Sequence, residues 1–175
     1  MDILQSLLPP AKGYLPYYMF TLSVIAVGNS LQNYITLHYT RRVYNGQFVP
    51  NPSTSTSTAD PEDSTTKLVP ATTTTSTTNK KEGRAQDQVT PLAARLFGTY
   101  TFISAIVRLY ASYHLHLAPV YQMAVWTYVV ALGHFLSEFL VYKTARFGTP
   151  IALPFFFATV GVAWMGSQYG FYVEA

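Results

Sequence analysis

From Leu15 onward the chain alternates long apolar runs with short polar punctuation. Leu15 to Leu37 carries no charged residue, and at about 1.5 Å of rise per residue a helix of that length crosses a hydrocarbon core of about 30 Å. The pattern predicts a first helix over 15–37, closed by Arg41 and Arg42, which belong at a membrane surface. Leu92 to Leu109 holds Arg95 and Arg108 near its two ends, with the uncharged run Leu96 to Val107 between them. It predicts a second helix over 92–112 whose arginines extend toward the nearer headgroups. After the link His114 to Pro119, the run Val120 to Tyr142 predicts a third helix over 120–142, bearing His134 and Glu138 and closed by Lys143 and Arg146. A fourth follows over 150–169, its first turns bent by Pro154. The expected fold is an all-α membrane protein, one domain over 1–175 in which four transmembrane helices form a bundle.

Between the first two runs the pattern breaks down. Sixteen of the twenty-six residues from Ser53 to Thr78 are Ser or Thr, punctuated by Pro52, Pro61 and Pro70. Such a segment cannot bury enough apolar area to offset its ordering entropy, so Gly46 to Thr90 is expected to be a long disordered loop. It is either a neutral insertion or a regulated linker, phosphorylated if cytosolic and O-glycosylated if lumenal.

Composition agrees with the membrane class. The chain of 175 residues is 49% hydrophobic and only 11% charged, against about a quarter charged in soluble domains. Mean hydropathy is held to +0.16 by the polar loop. A net charge of +3 set beside hydrophobic runs gives nucleic-acid binding little support. The absence of cysteine excludes disulfides, thiolate metal sites and a cysteine nucleophile. The N-terminus MDILQSLLPPAKGY lacks a basic n-region before a cleavable apolar run, so the first helix is expected to remain as an anchor.

Four spans place both termini on one side and loops one–two and three–four on the other. Arg41, Arg42, Lys143 and Arg146 flank helices on that second side, which the positive-inside rule makes cytosolic, although Lys12 opposes this. No N-x-Ser/Thr sequon with an acceptable middle residue is present, since Asn51 precedes Pro52.

Polar residues inside apolar helices are costly unless partnered, and so are expected to face inward. By helical rise, Asn29, Gln32, Arg95, His134 and Glu138 all fall in one leaflet, roughly 5 to 10 Å from the midplane. Arg108 falls in the other leaflet, about 20 Å from Glu138 by the same rise. Arg95 is therefore the expected partner of Glu138. His134 and Glu138, four residues apart, share a helix face. A metal or proton-transfer site is one possibility; a polar clamp joining helices one, two and three is favoured, because a catalytic metal needs about three protein ligands and His38, His114 and His116 lie outside the spans.

Small residues four apart, Ala26/Ser30, Ala94/Gly98 and Gly166/Gly170, permit close helix approach. Tyr14, Tyr17, Tyr18, Tyr121, Tyr169 and Tyr172 are expected in the aromatic belts at the membrane interfaces. Two stretches that fit the loose cholesterol-contact pattern, one ending at Arg41 and one at Arg146, carry no weight alone. Dinucleotide, P-loop, His-box and nucleophile-elbow motifs are absent. No cofactor and no catalysis are expected, which leaves binding, scaffolding or transport.

Three stretches then resemble a known family. Val24-Ile25-Ala26-Val27-Gly28-Asn29-Ser30-Leu31-Gln32, Leu92-Ala93-Ala94-Arg95-Leu96-Phe97-Gly98 leading to Val107-Arg108, and Val125-Trp126-Thr127 through Ala131-Leu132-Gly133-His134-Phe135-Leu136-Ser137-Glu138-Phe139 are similar to the ergosterol biosynthetic protein 28 family. The similarity covers three of the four helices in order. It implies a non-catalytic endoplasmic reticulum scaffold that tethers the sterol C-4 methyl oxidase, the decarboxylating C-3 sterol dehydrogenase and the 3-ketosteroid reductase, with the sterol C-24 methyltransferase also associated in fungi. The Ser/Thr-rich insertion departs from the family's compact loop. The alternative is a sterol-binding or sterol-transfer membrane protein whose polar cluster meets a 3-hydroxyl or 3-keto group.

Overall fold

The computed structural model describes residues 8–10, 12–51, 67–71 and 86–173. In chain order it comprises α1 (Leu15–Ile35), α2 (His38–Val43), β1 (Phe48–Pro50), β2 (Leu68–Pro70), α3 (Pro91–Tyr113), α4 (Ala118–Leu140), α5 (Thr149–Ser167) and α6 (Tyr169–Tyr172). Each long helix starts with a proline in its first turn, Pro16, Pro91, Pro119 and Pro150, where the missing N–H has no intrahelical acceptor to lose. Thr90 adds a side-chain cap, its Oγ1 accepting from the Ala93 N–H at 3.1 Å. Pro154 lies inside α5.

Among the described residues three helices, α3, α4 and α5, are long and apolar enough to cross a membrane. The first expected span is present as the 21-residue α1, which carries Asn29, Gln32 and Asn33 in its last two turns and is not one of these three. Packing covers part of its polarity. Met19, Ser23, Ser30 and Asn33 of α1 and Ala94, Gly98, Ala105 and Ser112 of α3 are buried positions of the two helices that pack most extensively on each other. Small side chains let the backbones approach, and Ser30 Oγ donates to the Gly98 carbonyl at 2.6 Å. Ala94 and Gly98 thus form a real contact surface. Gly166 and Gly170 do not: a Cβ on either would meet nothing within 4 Å.

Helix α5 packs on α4 through larger groups. Gly161 lies directly against the Tyr128 ring, and Tyr121 Oη donates to the Met165 carbonyl at 2.7 Å. Tyr121 and Tyr172 are buried rather than in an interfacial belt. Each has its hydroxyl engaged, Tyr172 Oη accepting the Leu15 N–H at 3.3 Å, whereas Tyr14 is exposed as a belt residue would be.

The apolar interior is divided in two. One cluster, near the described chain ends, gathers Leu15, Met19, Leu115, Tyr121, Tyr128, Met165 and Tyr172. The other gathers Val43, Phe135, Ala145 and Ile151 with Tyr44 and Phe97 packed against it. At this second end the segment after α2 docks on the α4–α5 loop: the Gly46 N–H donates to the Thr144 carbonyl at 2.8 Å, and the Arg146 N–H to Asn45 Oδ1 at 2.9 Å. Loops one–two and three–four therefore share one end of the molecule.

Within the expected disordered loop 46–90, the described residues are structured. Phe48–Pro50 pairs antiparallel with Leu68–Pro70, and Phe48 exchanges both backbone hydrogen bonds with Gln86. The physical reason is that the loop's few apolar residues act together: Phe48 and Val89 are buried, and the Phe-Val and Leu-Val pairs suit extended backbone. Asp87 pairs with Arg41 at 3.5 Å. The Ser/Thr-rich stretches 52–66 and 72–85 lie outside the described residues.

Candidate functional site

Two cavities of about 430 Å³ each lie among the helices, and the side chains of Phe97 and Tyr100 border both. Four of the five residues expected to form one intramembrane cluster are distributed between them. His134 and Glu138 line the cavity near the docked loops. Asn29 and Gln32 line the cavity between the two apolar clusters. Arg95 borders neither and is exposed on the outer side of α3.

The loop-side cavity is built around a relay of side chains. Tyr44 Oη and His134 Nε2 are 2.6 Å apart, His134 Nδ1 is 3.9 Å from Glu138 Oε1, and the Thr144 hydroxyl donates to the Glu138 carboxylate. Spacing along α4 accounts for the His134–Glu138 half, since residues four apart meet on a helix. The flanking partners come from the docked loops: Tyr44 closes α2 and Thr144 precedes α5. Burial, and next to it the Glu138 carboxylate, hold the Tyr44 hydroxyl far above the ordinary phenol range. It is therefore a neutral hydroxyl that shares one hydrogen bond with Nε2, the donor being set by the imidazole tautomer. Among the described residues no group of three or more His, Asp or Glu gathers as a metal would need.

The arrangement is a clamp, but a different one from that expected. It ties α4 to the segment after α2 and to the α4–α5 loop, instead of joining three helices through Arg95. The expected Arg95–Glu138 pair is absent, and helical rotation explains why. Arg95 and Arg108 are thirteen residues apart, roughly 220° around α3, so when one faces the interior the other faces out. Arg108 is the inward residue. Tyr44→Phe removes one hydrogen bond and leaves the imidazole nitrogen unpaired; the expected cost is about 1 kcal/mol, read as a lower melting temperature in detergent with unchanged purification yield. An unchanged melting temperature would contradict the relay.

In the central cavity Arg108 Nε donates to Thr127 Oγ1 at 2.9 Å and Nη2 to the Thr127 carbonyl at 3.1 Å. Its guanidinium carbon stands 4.0 Å from the centroid of the Tyr128 ring, a cation–π contact. Depth along the helices had separated Arg108 from Asn29. Both border this cavity, along with Tyr100, Ser104 and Tyr128.

The sequence over residues 15–163 matches the family profile described as "Erg28 like protein". The chain belongs to this family. It is 52% identical to the ergosterol biosynthetic protein 28 of Gibberella zeae, over 99% of each chain. Against the protein of that name from Saccharomyces cerevisiae, identity is 30% over 92% of this chain and 84% of the other. A human homolog of ergosterol biosynthetic protein 28 is 36% identical over 44% of this chain and 55% of its own length. No solved structure matches.

Proposed function

We propose that the chain works in ergosterol biosynthesis as a non-catalytic, four-span protein of the endoplasmic reticulum membrane that tethers the sterol C-4 methyl oxidase, the decarboxylating C-3 sterol dehydrogenase and the 3-ketosteroid reductase, with the sterol C-24 methyltransferase as a further partner. The observation that carries this reading is the near-full-length match to the fungal ergosterol biosynthetic protein 28 relatives. The structure adds a physical basis for membrane tethering. Large apolar side chains cover the outside of every long helix, among them Ile25, Leu96, Ile103, Trp126, Leu153 and Phe156, all exposed.

Helix α1 completes the fourth span in this reading. Its polar Ser30 and Asn33 are covered by α3, which removes part of its polarity from the lipid-facing side. Loss of a tether separates successive enzymes without removing any of them. Cells lacking the chain are expected to accumulate C-4-methylated or 3-keto sterols while the oxidase, dehydrogenase and reductase stay at normal abundance. Sterol profiling with immunoblotting reads this directly. A wild-type sterol profile would overturn the proposal.

A further inference from the structure

Of the two acidic residues among the described residues, Asp87 pairs with Arg41 and Glu138 lies in the relay with His134 and Thr144. Neither neutralises Arg108. A guanidinium stays charged, and within a membrane-spanning helix a charge with only neutral hydrogen-bond partners is expensive. The Thr127 contacts engage Nε and Nη2, which leaves the Nη1 donors available to the cavity.

The same cavity collects orphaned polar atoms. Three buried side-chain N or O atoms lack a hydrogen-bond partner among the described residues, namely Asn29 Oδ1, Asn33 Nδ2 and Tyr128 Oη, while the Tyr100 hydroxyl has Ser104 beside it. Two of the three, on Asn29 and Tyr128, belong to residues lining this one cavity. Buried polar groups are ordinarily paired, so a concentration of unpaired ones marks a place where another molecule supplies the partner. The rest of the wall is apolar: Leu22, Ile25, Phe97, Phe135, Leu153 and Phe157. A cavity of about 430 Å³ falls within the range of small-molecule sites.

We infer that the central cavity binds an amphiphile whose apolar body lies against the aromatic and aliphatic wall and whose carboxylate is held by Arg108, specifically a sterol acid. The oxyanion follows from Arg108 alone. The sterol skeleton rests on the proposed function, in which an oxidase makes a ring carboxylate and a decarboxylating dehydrogenase consumes it. Asn29 Oδ1 needs a donor, which a hydroxyl beside the carboxylate provides, and the Tyr128 hydroxyl donates to a remaining carboxylate lone pair. A phosphate on a membrane lipid offers the same charge on a different body, so the test separates the two.

The full chain in nanodiscs of neutral lipid is titrated with a radiolabelled 3-hydroxysterol bearing a C-4 carboxylate, and with its methyl ester. The acid is expected to bind about tenfold or more tightly than the ester, as charge-assisted hydrogen bonds to a partly buried cation imply. Arg108→Gln is expected to erase the preference, and Asn29→Ala to weaken the 3-hydroxy acid relative to its 3-deoxy analogue. Equal binding of acid and ester by the wild-type chain would overturn the inference, whatever the variants do. Displacement of the acid by phosphatidic acid at equal concentration would overturn the sterol assignment. Recovery of the partner enzymes with tagged chain is a separate measurement, so a lost acid preference with intact recovery would reject the site and leave the tether standing.

Discussion

Gly161→Ala should lower the stability of the α4–α5 half of the molecule by about 1–3 kcal/mol, the usual cost of overpacking a filled interior. The added methyl would stand 2.7 Å from Tyr128 Cγ and Cε1, and closer still to Cδ1. The ring has little room to retreat. Tyr128 is 1% exposed, stacks against Tyr18 at 6.3 Å between centroids, and carries the Arg108 guanidinium on its face. Thermal melting in detergent, followed by the fluorescence of Trp126 and Trp164, should show the loss. Adding Tyr128→Leu to Gly161→Ala should recover part of it, because the clash and not the glycine itself is responsible. If Gly161→Ala melts like the wild type, α5 does not pack on α4 through this contact.

Gly46→Ala should release the segment after α2 from the α4–α5 loop. Here the added methyl meets backbone: the carbonyl oxygens of Lys143 and Thr144 and the Thr144 carbonyl carbon, the last at 2.9 Å. Backbone cannot rotate aside, and the same contact includes the Gly46–Thr144 hydrogen bond. Displacement would pull Tyr44 from His134 and open the loop-side cavity. The chain has no native cysteine, so a single introduced thiol reports this cleanly. Ala145→Cys, at a site 2% exposed, should react several-fold faster with a maleimide when Gly46→Ala is present, an opening whose free energy matches the about 1–3 kcal/mol of an overpacked contact. Ala105→Cys, in the α1–α3 seam, should be unaffected. Equal rates at Ala145→Cys with and without Gly46→Ala would rule out the docking.

Length and hydropathy revealed where the helices are. The expected ranges 15–37, 92–112, 120–142 and 150–169 lie within two residues of α1, α3, α4 and α5 at every end, because uncharged runs bounded by arginine, proline and histidine leave little choice. The facing of each helix was much less legible. In a soluble protein the apolar stripe marks the interior, but a membrane helix is apolar all round, and hydropathy cannot distinguish Ala94 and Gly98, which meet α1, from Gly166 and Gly170, which meet nothing.

The same ambiguity governs the polar residues. Helical rise correctly placed His134 beside Glu138, since that pairing is local. It could not show that Arg108 turns inward while Arg95 turns out, because depth specifies height and not rotation. Tyr44 and Thr144 were invisible as site residues for a different reason. They lie in connecting segments, and Tyr44 meets His134 across ninety residues of chain, a contact that follows from how Gly46 seats on the Thr144 carbonyl. Phe48 and Leu68 were hidden by their surroundings, two apolar pairs within a segment whose composition argues against order.

Whether the chain holds sterol C-4 demethylation enzymes together, as proposed, is tested most directly by affinity purification of the tagged full chain from membranes in mild detergent. The C-4 methyl oxidase, the decarboxylating C-3 sterol dehydrogenase and the 3-ketosteroid reductase are expected to come down with it and to be absent from a parallel purification of an unrelated multi-span protein. Recovery of the tagged chain with none of the three would contradict it.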